Sequence, residues 1–272
     1  MFYPQNRAEL IFLANFDGSK QEMMEEQAQT ERRSKTDILR QLQSDILRLQ
    51  GFKPASGTAQ DMGLGVINQA FPQACFPLGA IHEFMTANAE EGAAATGFLA
   101  GLLKPLMGEG YAVLWVRKEG SLFAPALHAF GITPHRVIFL ELKKEKDILW
   151  AVEEALKCGA LAAVIGELSE LDFTASRRLQ LAVENSKTTG FLLRSNPRNL
   201  QTTACVARWK IAALPSALDD DLPGIGFPRW QVELLKIRNG KPGRWVVQWK
   251  DEAFQVERPA AQPVAQPYTK IA

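Results

Sequence analysis

The sequence lacks several features that would each narrow the class of protein. Its three cysteines, Cys75, Cys158 and Cys205, are widely spaced and form no CxxC pair, which indicates a reducing compartment and no disulfide framework. Charge of either sign is scarcely in excess, with 31 Lys and Arg against 30 Asp and Glu. No overall field therefore attracts nucleic acid or a membrane, and any such surface must be local.

Long apolar runs are also missing. No run approaches the about 18 residues that a membrane helix needs. The apolar stretch 10–16 is short, follows Glu9 and has no small-residue cleavage site, so no signal peptide is expected. We therefore expect a cytoplasmic protein, and 272 residues suffice for one large core with extensions.

The sequence does contain a regular alternation of short apolar runs and helical patterns. The predicted strands are Ala80–Phe84, Ala112–Val116, Val137–Leu140, Leu161–Ile165 and Phe191–Arg194. The predicted helices are Ala93–Met107, Leu122–Phe130, Ile148–Lys157 and Phe173–Lys187. Buried strands that alternate with helices are typical of an α/β fold with a mostly parallel sheet flanked by helices. Two later segments, Trp230–Arg238 and Arg244–Trp249, surround an Asn-Gly turn and predict a C-terminal β-hairpin extension.

Composition divides the chain into six segments. They are a loose leader (1–30), an N-terminal helix (31–51), a polar linker (52–65), the α/β core (66–215), the β-hairpin extension (216–256) and a disordered tail (257–272).

The N-terminal helix carries one apolar face, formed by Ile38, Leu42, Ile46 and Leu49. These residues suit helix-in-groove docking onto a partner. The alternative is that the helix folds back onto its own core.

An open parallel sheet binds ligands at the carboxyl ends of its strands, on the loop into the first helix. The corresponding residues here are 86–97. A phosphate-binding loop needs glycines, a lysine and a hydroxyl, whereas this segment offers Gly92 and Thr96 but no lysine, and Glu90 and Glu91 would repel a triphosphate. It either simply starts a helix or retains weak nucleotide binding.

Several stretches resemble RecA. Residues 76–83 are similar to the part of RecA that leads into its phosphate-binding loop. Residues 114–119 resemble the strand that ends in RecA's catalytic glutamate, here Glu119. Residues 159–167 resemble the Walker B strand, with Glu167 in place of the aspartate.

In detail the chain is most similar to the ImuA family of RecA-like proteins. The similarity covers roughly residues 34–250, and it is carried by Gly79–Phe84, Glu90–Phe98, Arg208-Trp209 and Phe227–Leu235. The resemblance implies an accessory protein of SOS-type, damage-induced mutagenesis. Its implied partners are ImuB (an inactive Y-family polymerase relative), RecA and an error-prone C-family polymerase.

The departures from RecA imply a degenerate nucleotide site at Gly92, Thr96, Glu119 and Glu167 and an adaptor that does not hydrolyse ATP. No cofactor is expected. Two alternatives stay open: a weak or conditional ATPase that uses Glu119 and Glu167, and a cell-division inhibitor similar to SulA, which shares the fold but is shorter.

The C-terminal region mixes cations with aromatics. Arg229, Lys236, Arg238, Lys241 and Arg244 could contact single-stranded DNA or a partner, or they could form a solvated basic face. The three histidines lack the spacing of a zinc site, so no metal is expected.

Overall fold

The computed structural model describes residues 35, 37–39, 41–42, 60–108, 111–118, 122–197, 201–218 and 225–257. The chain divides into two compact units, 1–56 and 57–272. In the first unit the described residues, 35, 37–39 and 41–42, are helical, and the rest of the predicted N-terminal helix lies outside the described residues. The predicted leader and almost all of the predicted tail lie outside the described residues.

The second unit contains helices and strands in the following order: β1 (Ile81–Thr86), α1 (Ala89–Met107), β2 (Ala112–Arg117), β3 (Val137–Glu141), α2 (Glu145–Leu156), β4 (Leu161–Leu168), α3 (Phe173–Ser186), β5 (Thr189–Ser195), β6 (Ala207–Ala217), β7 (Phe227–Ile237), β8 (Gly243–Lys250) and β9 (Ala253–Val256). Short 3₁₀ helices lie at Gly65–Ala70, Pro72–Ala74, Ala124–Phe130 and Pro134–Arg136.

Nine strands of the described region form one sheet, in the order β3-β2-β4-β5-β1-β6-β7-β8-β9. The pairs from β3 to β6 are parallel, and the pairs from β6 to β9 are antiparallel. The predicted α/β class, with a mostly parallel sheet flanked by helices, is therefore confirmed.

The helices cover both faces of the parallel half. Phe98 of α1 contacts the rings of Phe84 and Trp209 on one face. Ile81 belongs to a buried cluster that includes Val152 of α2 and Leu179 of α3. Because Ile81 and Phe84 are an odd number of positions apart on β1, they point to opposite faces. The core thus has two layers, with α1 on one side and α2 and α3 on the other.

Strand β6 was not predicted, although it lies at the centre of the sheet between β1 and β7. Its first half does alternate, since Ala207, Trp209 and Ile211 are buried and the residues between them are not. The second half was not recognised as a strand because it contains Pro215, and proline is rare inside a sheet. The strand accommodates this proline because the ladder with β7 shifts register between Leu214 and Ala217.

The predicted segment boundaries need two corrections. The linker was placed at 52–65, yet Met62 and Leu64 are 2% and 0% exposed, and the backbone at Gly63 and Gly65 lies next to Phe254 and Val256 of β9. The β-hairpin of 216–256 exists as β7 and β8, but it is no separate extension. It continues the sheet from β6, and β6 itself crosses the predicted core boundary at 215.

One predicted helix has a different form. The segment Leu122–Phe130 was expected to be an α-helix, and it is a 3₁₀ helix over Ala124–Phe130. Pro125 at its start removes a backbone donor, and Gly131 in the left-handed conformation closes it after seven residues. Such a short stretch satisfies its backbone with the tighter i→i+3 bonds.

Two glycines of α1 should respond in opposite ways to alanine. A Cβ at Gly101 would overlap the Phe254 ring and approach the Trp249 ring to 2.8 Å, whereas a Cβ at Gly92 meets nothing within 4 Å. We expect Gly101→Ala to lower the free energy of unfolding by about 1–3 kcal/mol through overpacking. Gly92→Ala should raise it by about 0.5–1 kcal/mol through helix propensity. Denaturant unfolding of both variants checks this, and an equal effect of the two would contradict it.

Candidate functional site at the start of the first core helix

The connection from β1 to α1 occupies the position where parallel sheets bind their ligands. It is much shorter than the sequence suggested, because only Ala87 and Asn88 separate the end of β1 from the start of α1. The interpretation of 86–97 as a loop is therefore wrong. A chain of two residues cannot wrap the phosphates of a nucleotide.

The backbone amides of this connection are already bonded within the protein. The Asn88 side chain accepts a hydrogen bond from the Glu91 amide at 2.8 Å. The Glu91 carboxylate in turn accepts one from the Ala87 amide at 2.7 Å. The Gly92 amide donates to the Asn88 carbonyl at 3.0 Å. This reciprocal arrangement resembles a capping box, and it engages two N–H groups, those of Ala87 and Glu91, that a phosphate at the helix start could use.

The predicted degenerate nucleotide site is partly assembled. Gly92 and Thr96 lie within the first turns of α1, and Glu167 lies near the carboxyl end of β4. All three line one cavity. The Glu167 carboxylate accepts a hydrogen bond from the Trp115 indole at 2.9 Å. The fourth predicted residue, Glu119, lies outside the described residues.

The charges at the start of α1 are unfavourable for a polyphosphate. Glu90 is exposed and lines the cavity. Glu91 forms an ion pair with Lys210 at 3.2 Å, which directs that lysine to a carboxylate of the protein itself. Lys118 is a cation that lines the cavity. It directly follows β2, whereas a phosphate-binding loop carries its lysine on the segment that corresponds here to the start of α1.

The cavity has a volume of about 1020 Å³. Its lining includes the aromatic side chains of Phe123, Phe130 and Trp230 and the first turns of α1. Phe123 is 73% exposed. The cavity can hold an apolar or aromatic group, and it offers few amides to an anion.

Sequence reasoning missed a buried ionic cluster beneath this site. Glu83 is fully buried in β1, and its carboxylate accepts hydrogen bonds from Thr203 at 2.6 Å, Arg208 at 2.7 Å and Arg194 at 3.1 Å. The Arg194 side chain is 0% exposed. The only signal was an arginine in an otherwise apolar strand, which does not identify its partner.

His82 is the buried histidine of β1, and it is held in one neutral form. Its Nε2 lies 2.7 Å from the Pro77 carbonyl and so carries the proton, while Nδ1 accepts from the Trp209 indole at 3.4 Å. Its ring is stacked on Phe76 and lies near Phe191. Burial lowers the pKa of His82 from 6.5 to about 4, and the hydrogen bond to Pro77 only partly opposes this.

The pKa of His82 predicts a loss of stability in mild acid. Because the folded pKa of about 4 lies below the unfolded value of 6.5, the unfolded chain binds more protons between these values. Stability is therefore complete above pH 6.5 and falls as the pH drops towards 4, by about 3 kcal/mol in all. We expect His82→Gln to lose this part of the pH dependence of unfolding, and His135→Gln, at an exposed position, to keep it. Parallel curves for both variants would contradict the assignment.

The predicted partner-binding helix is described only in part. Ile38 and Leu42 are helical and 54% and 52% exposed. Ile46 and Leu49 lie outside the described residues. Docking of this face onto a partner stays a hypothesis.

The predicted basic surface is largely engaged within the protein. Arg229 binds Glu257, with 2.7 Å between Nη2 and Oε2, and this bond lowers the pKa of Glu257. Arg244 pairs with Glu233 at 3.0 Å. Lys236 and Arg238 each donate to a backbone carbonyl at 2.8 Å, and Lys241 is exposed. Two of the five charges are thus neutralised, and contact with single-stranded DNA stays a hypothesis.

Within the described residues, no group of three or more His, Cys, Asp and Glu side chains could hold a metal ion. No helix in that part of the chain is both long and apolar enough to cross a membrane.

Comparison with curated proteins gives a clear relative, and comparison with solved structures gives distant ones. Protein ImuA of Caulobacter vibrioides is 38% identical over 194 residues, which are 67% of this chain and 80% of the relative, and a second strain gives the same match. No model of a protein family matches the chain.

Two solved structures are similar in part. SulA from Pseudomonas aeruginosa has a TM-score of 0.37 at 21% identity, covering 44% of this chain and 99% of that one. The RadB recombinase has a TM-score of 0.49 at 14% identity, covering 72% and 98%. Because both scores lie below 0.5, the fold assignment rests on the strand order and on the curated relative.

Proposed function

The chain belongs to the ImuA family, and on that basis we propose that it is a non-catalytic accessory protein of DNA-damage-induced mutagenesis. In this proposal it joins an ImuB-like, inactive Y-family polymerase relative to RecA during translesion synthesis, together with an error-prone C-family polymerase. It works in the cytoplasm, and assembly follows from complementary surfaces and mass action.

The main argument that the protein does not hydrolyse ATP is that only two residues connect β1 to α1. The amides of Ala87 and Glu91 are bonded to the side chains of Glu91 and Asn88. ATP turnover depends on backbone amides, a lysine and Mg²⁺ acting together on the phosphates. A conditional ATPase would have to break these bonds and add a cation, so it is the less well supported alternative.

A genetic experiment separates the adaptor from an ATPase. Deleting the gene should lower the frequency of damage-induced mutations, and the wild-type chain should restore it. The variants Glu167→Gln and Gly92→Ala should restore it equally, because neither changes a surface that the adaptor needs. Failure of Glu167→Gln, with normal protein levels, would argue for catalysis.

A binding experiment addresses the partners. The full chain should co-purify with the ImuB-like protein and with RecA of the same organism, and to the same extent with and without ATP and Mg²⁺. Association with neither protein, or association only with ATP, would contradict the proposal.

A further inference from the structure

The lining of the cavity at the start of α1 includes aromatic side chains, of which Phe123 is exposed to solvent and Trp230 is buried. Phe123, Phe130 and Trp230 line it, and Phe123 is 73% exposed. Aromatic-lined grooves commonly bind proline-rich segments, whose extended helix is preformed and loses little entropy. The chemistry of this wall therefore fits a proline-rich peptide better than it fits a phosphate.

The described chain leads away from this same cavity. After β9, Glu257 is fixed by its amide, which donates to the Val246 carbonyl at 2.9 Å. Its carboxylate binds Arg229, a residue of the cavity wall. Glu257, the last described residue, therefore lies beside the wall.

The residues after Glu257 are rich in proline, which suits an aromatic-lined cavity. Prolines recur at every fourth position, Pro259, Pro263 and Pro267. Each lacks an N–H group, so burying it leaves no unsatisfied backbone donor. Tyr268 and Ile271 supply apolar side chains near the end of the sequence.

Charge is complementary as well. The segment 258–272 contains Arg258 and Lys270 and no acidic residue. The cavity is lined by Glu90 and Glu167, and one of its two cations, Arg229, is already neutralised by Glu257. A basic segment thus meets carboxylates at the site.

We infer that the segment 258–272 binds in the cavity of its own chain, with Tyr268 against Phe123 as the anchor. Tyr268 lies eleven positions after Glu257, and an extended chain spans about 3.3 Å per residue, so the anchor reaches every part of the wall. A short tether gives an effective concentration of about a millimolar, which makes a weak contact sufficient. A partner segment that uses this cavity has to displace the chain's own. The inference does not depend on the proposed function.

Photo-crosslinking in the full chain tests it. p-Benzoylphenylalanine is placed at position 268 in place of Tyr268, and the dilute protein is irradiated. We expect a product of monomer size whose linked peptides lie in 122–130, 213–216 or 228–230, the segments of the cavity wall. Phe123→Asp should lower the docking constant about tenfold and reduce this product, while circular dichroism shows an unchanged fold.

The matched control carries the same photoreactive group in place of Tyr111, which is exposed at the start of β2; it should give no link to the cavity wall. Three results would overturn the inference: links from position 268 outside the wall, a yield that Phe123→Asp leaves unchanged, or a product of dimer size alone. The last would mean that the cavity takes the segment of a second copy.

Discussion

Replacing Glu83 by leucine is expected to lower the free energy of unfolding by about 3–5 kcal/mol. The carboxylate is fully buried and accepts hydrogen bonds from Arg194, Arg208 and Thr203. Arg194 is 0% exposed, and its Nε and Nη2 have no hydrogen-bond partner among the described residues. Removing Glu83 therefore leaves a buried positive charge without its main counterion. Denaturant unfolding at neutral pH measures the loss.

Two further variants test the cause of that loss. Glu154→Leu removes a carboxylate from an exposed pair with Lys157, and it should cost no more than about 1 kcal/mol. The double variant Glu83→Leu, Arg194→Met removes both buried charges and should recover much of the stability, since an apolar pair often replaces a buried ion pair well. A small effect of Glu83→Leu, or no recovery in the double variant, would contradict the account of the cluster.

Replacing Trp209 by alanine is the second substitution with a large expected effect, and it should lower the free energy of unfolding by about 3–5 kcal/mol. Trp209 is fully buried on β6, and its ring lies about 6 Å from those of Phe71, Phe84 and Phe98. These aromatics belong to β1, α1 and the segment before them. The cavity left by the substitution thus opens where the parallel and antiparallel halves of the sheet meet.

Trp150→Ala is the matched control for this prediction. Trp150 lies on α2 and is 63% exposed, so the same change there should alter the free energy of unfolding by only about 0.5 kcal/mol. Comparable losses at the two positions would mean that Trp209 does not join the two halves of the core as described.

The sequence predicted the parallel half of the fold well, because its strands are buried on both faces. Ala112–Val116 and Leu161–Ile165 are continuous apolar runs, and the structure extends each by one to three residues. Strand β6 was not predicted because none of its residues beyond Ile211 is fully buried and because it contains Pro215. A short 3₁₀ helix and an α-helix have similar apolar patterns, so the segment near Phe130 was also misjudged.

The site was harder to predict than the fold. Gly92 and Thr96 were placed at one edge of the sheet from the alternation of strands and helices, and Glu167 from the resemblance to RecA; all three line one cavity. The sequence could not show that α1 begins at Ala89, because Glu90, Glu91 and Gly92 also suit a loop. Nor could it pair Glu83 with Arg194, which lies 111 residues away. Such contacts depend on register, which composition does not encode.

The most direct test of the central claim is calorimetric titration of the full chain with ATP and Mg²⁺ at near-millimolar ligand. We predict no heat of binding, because the amides of Ala87 and Glu91 are bonded to the side chains of Glu91 and Asn88 and Glu90 repels the phosphates. Measurable binding that disappears in Glu167→Gln would contradict the claim, and would mean that the site still binds nucleotide.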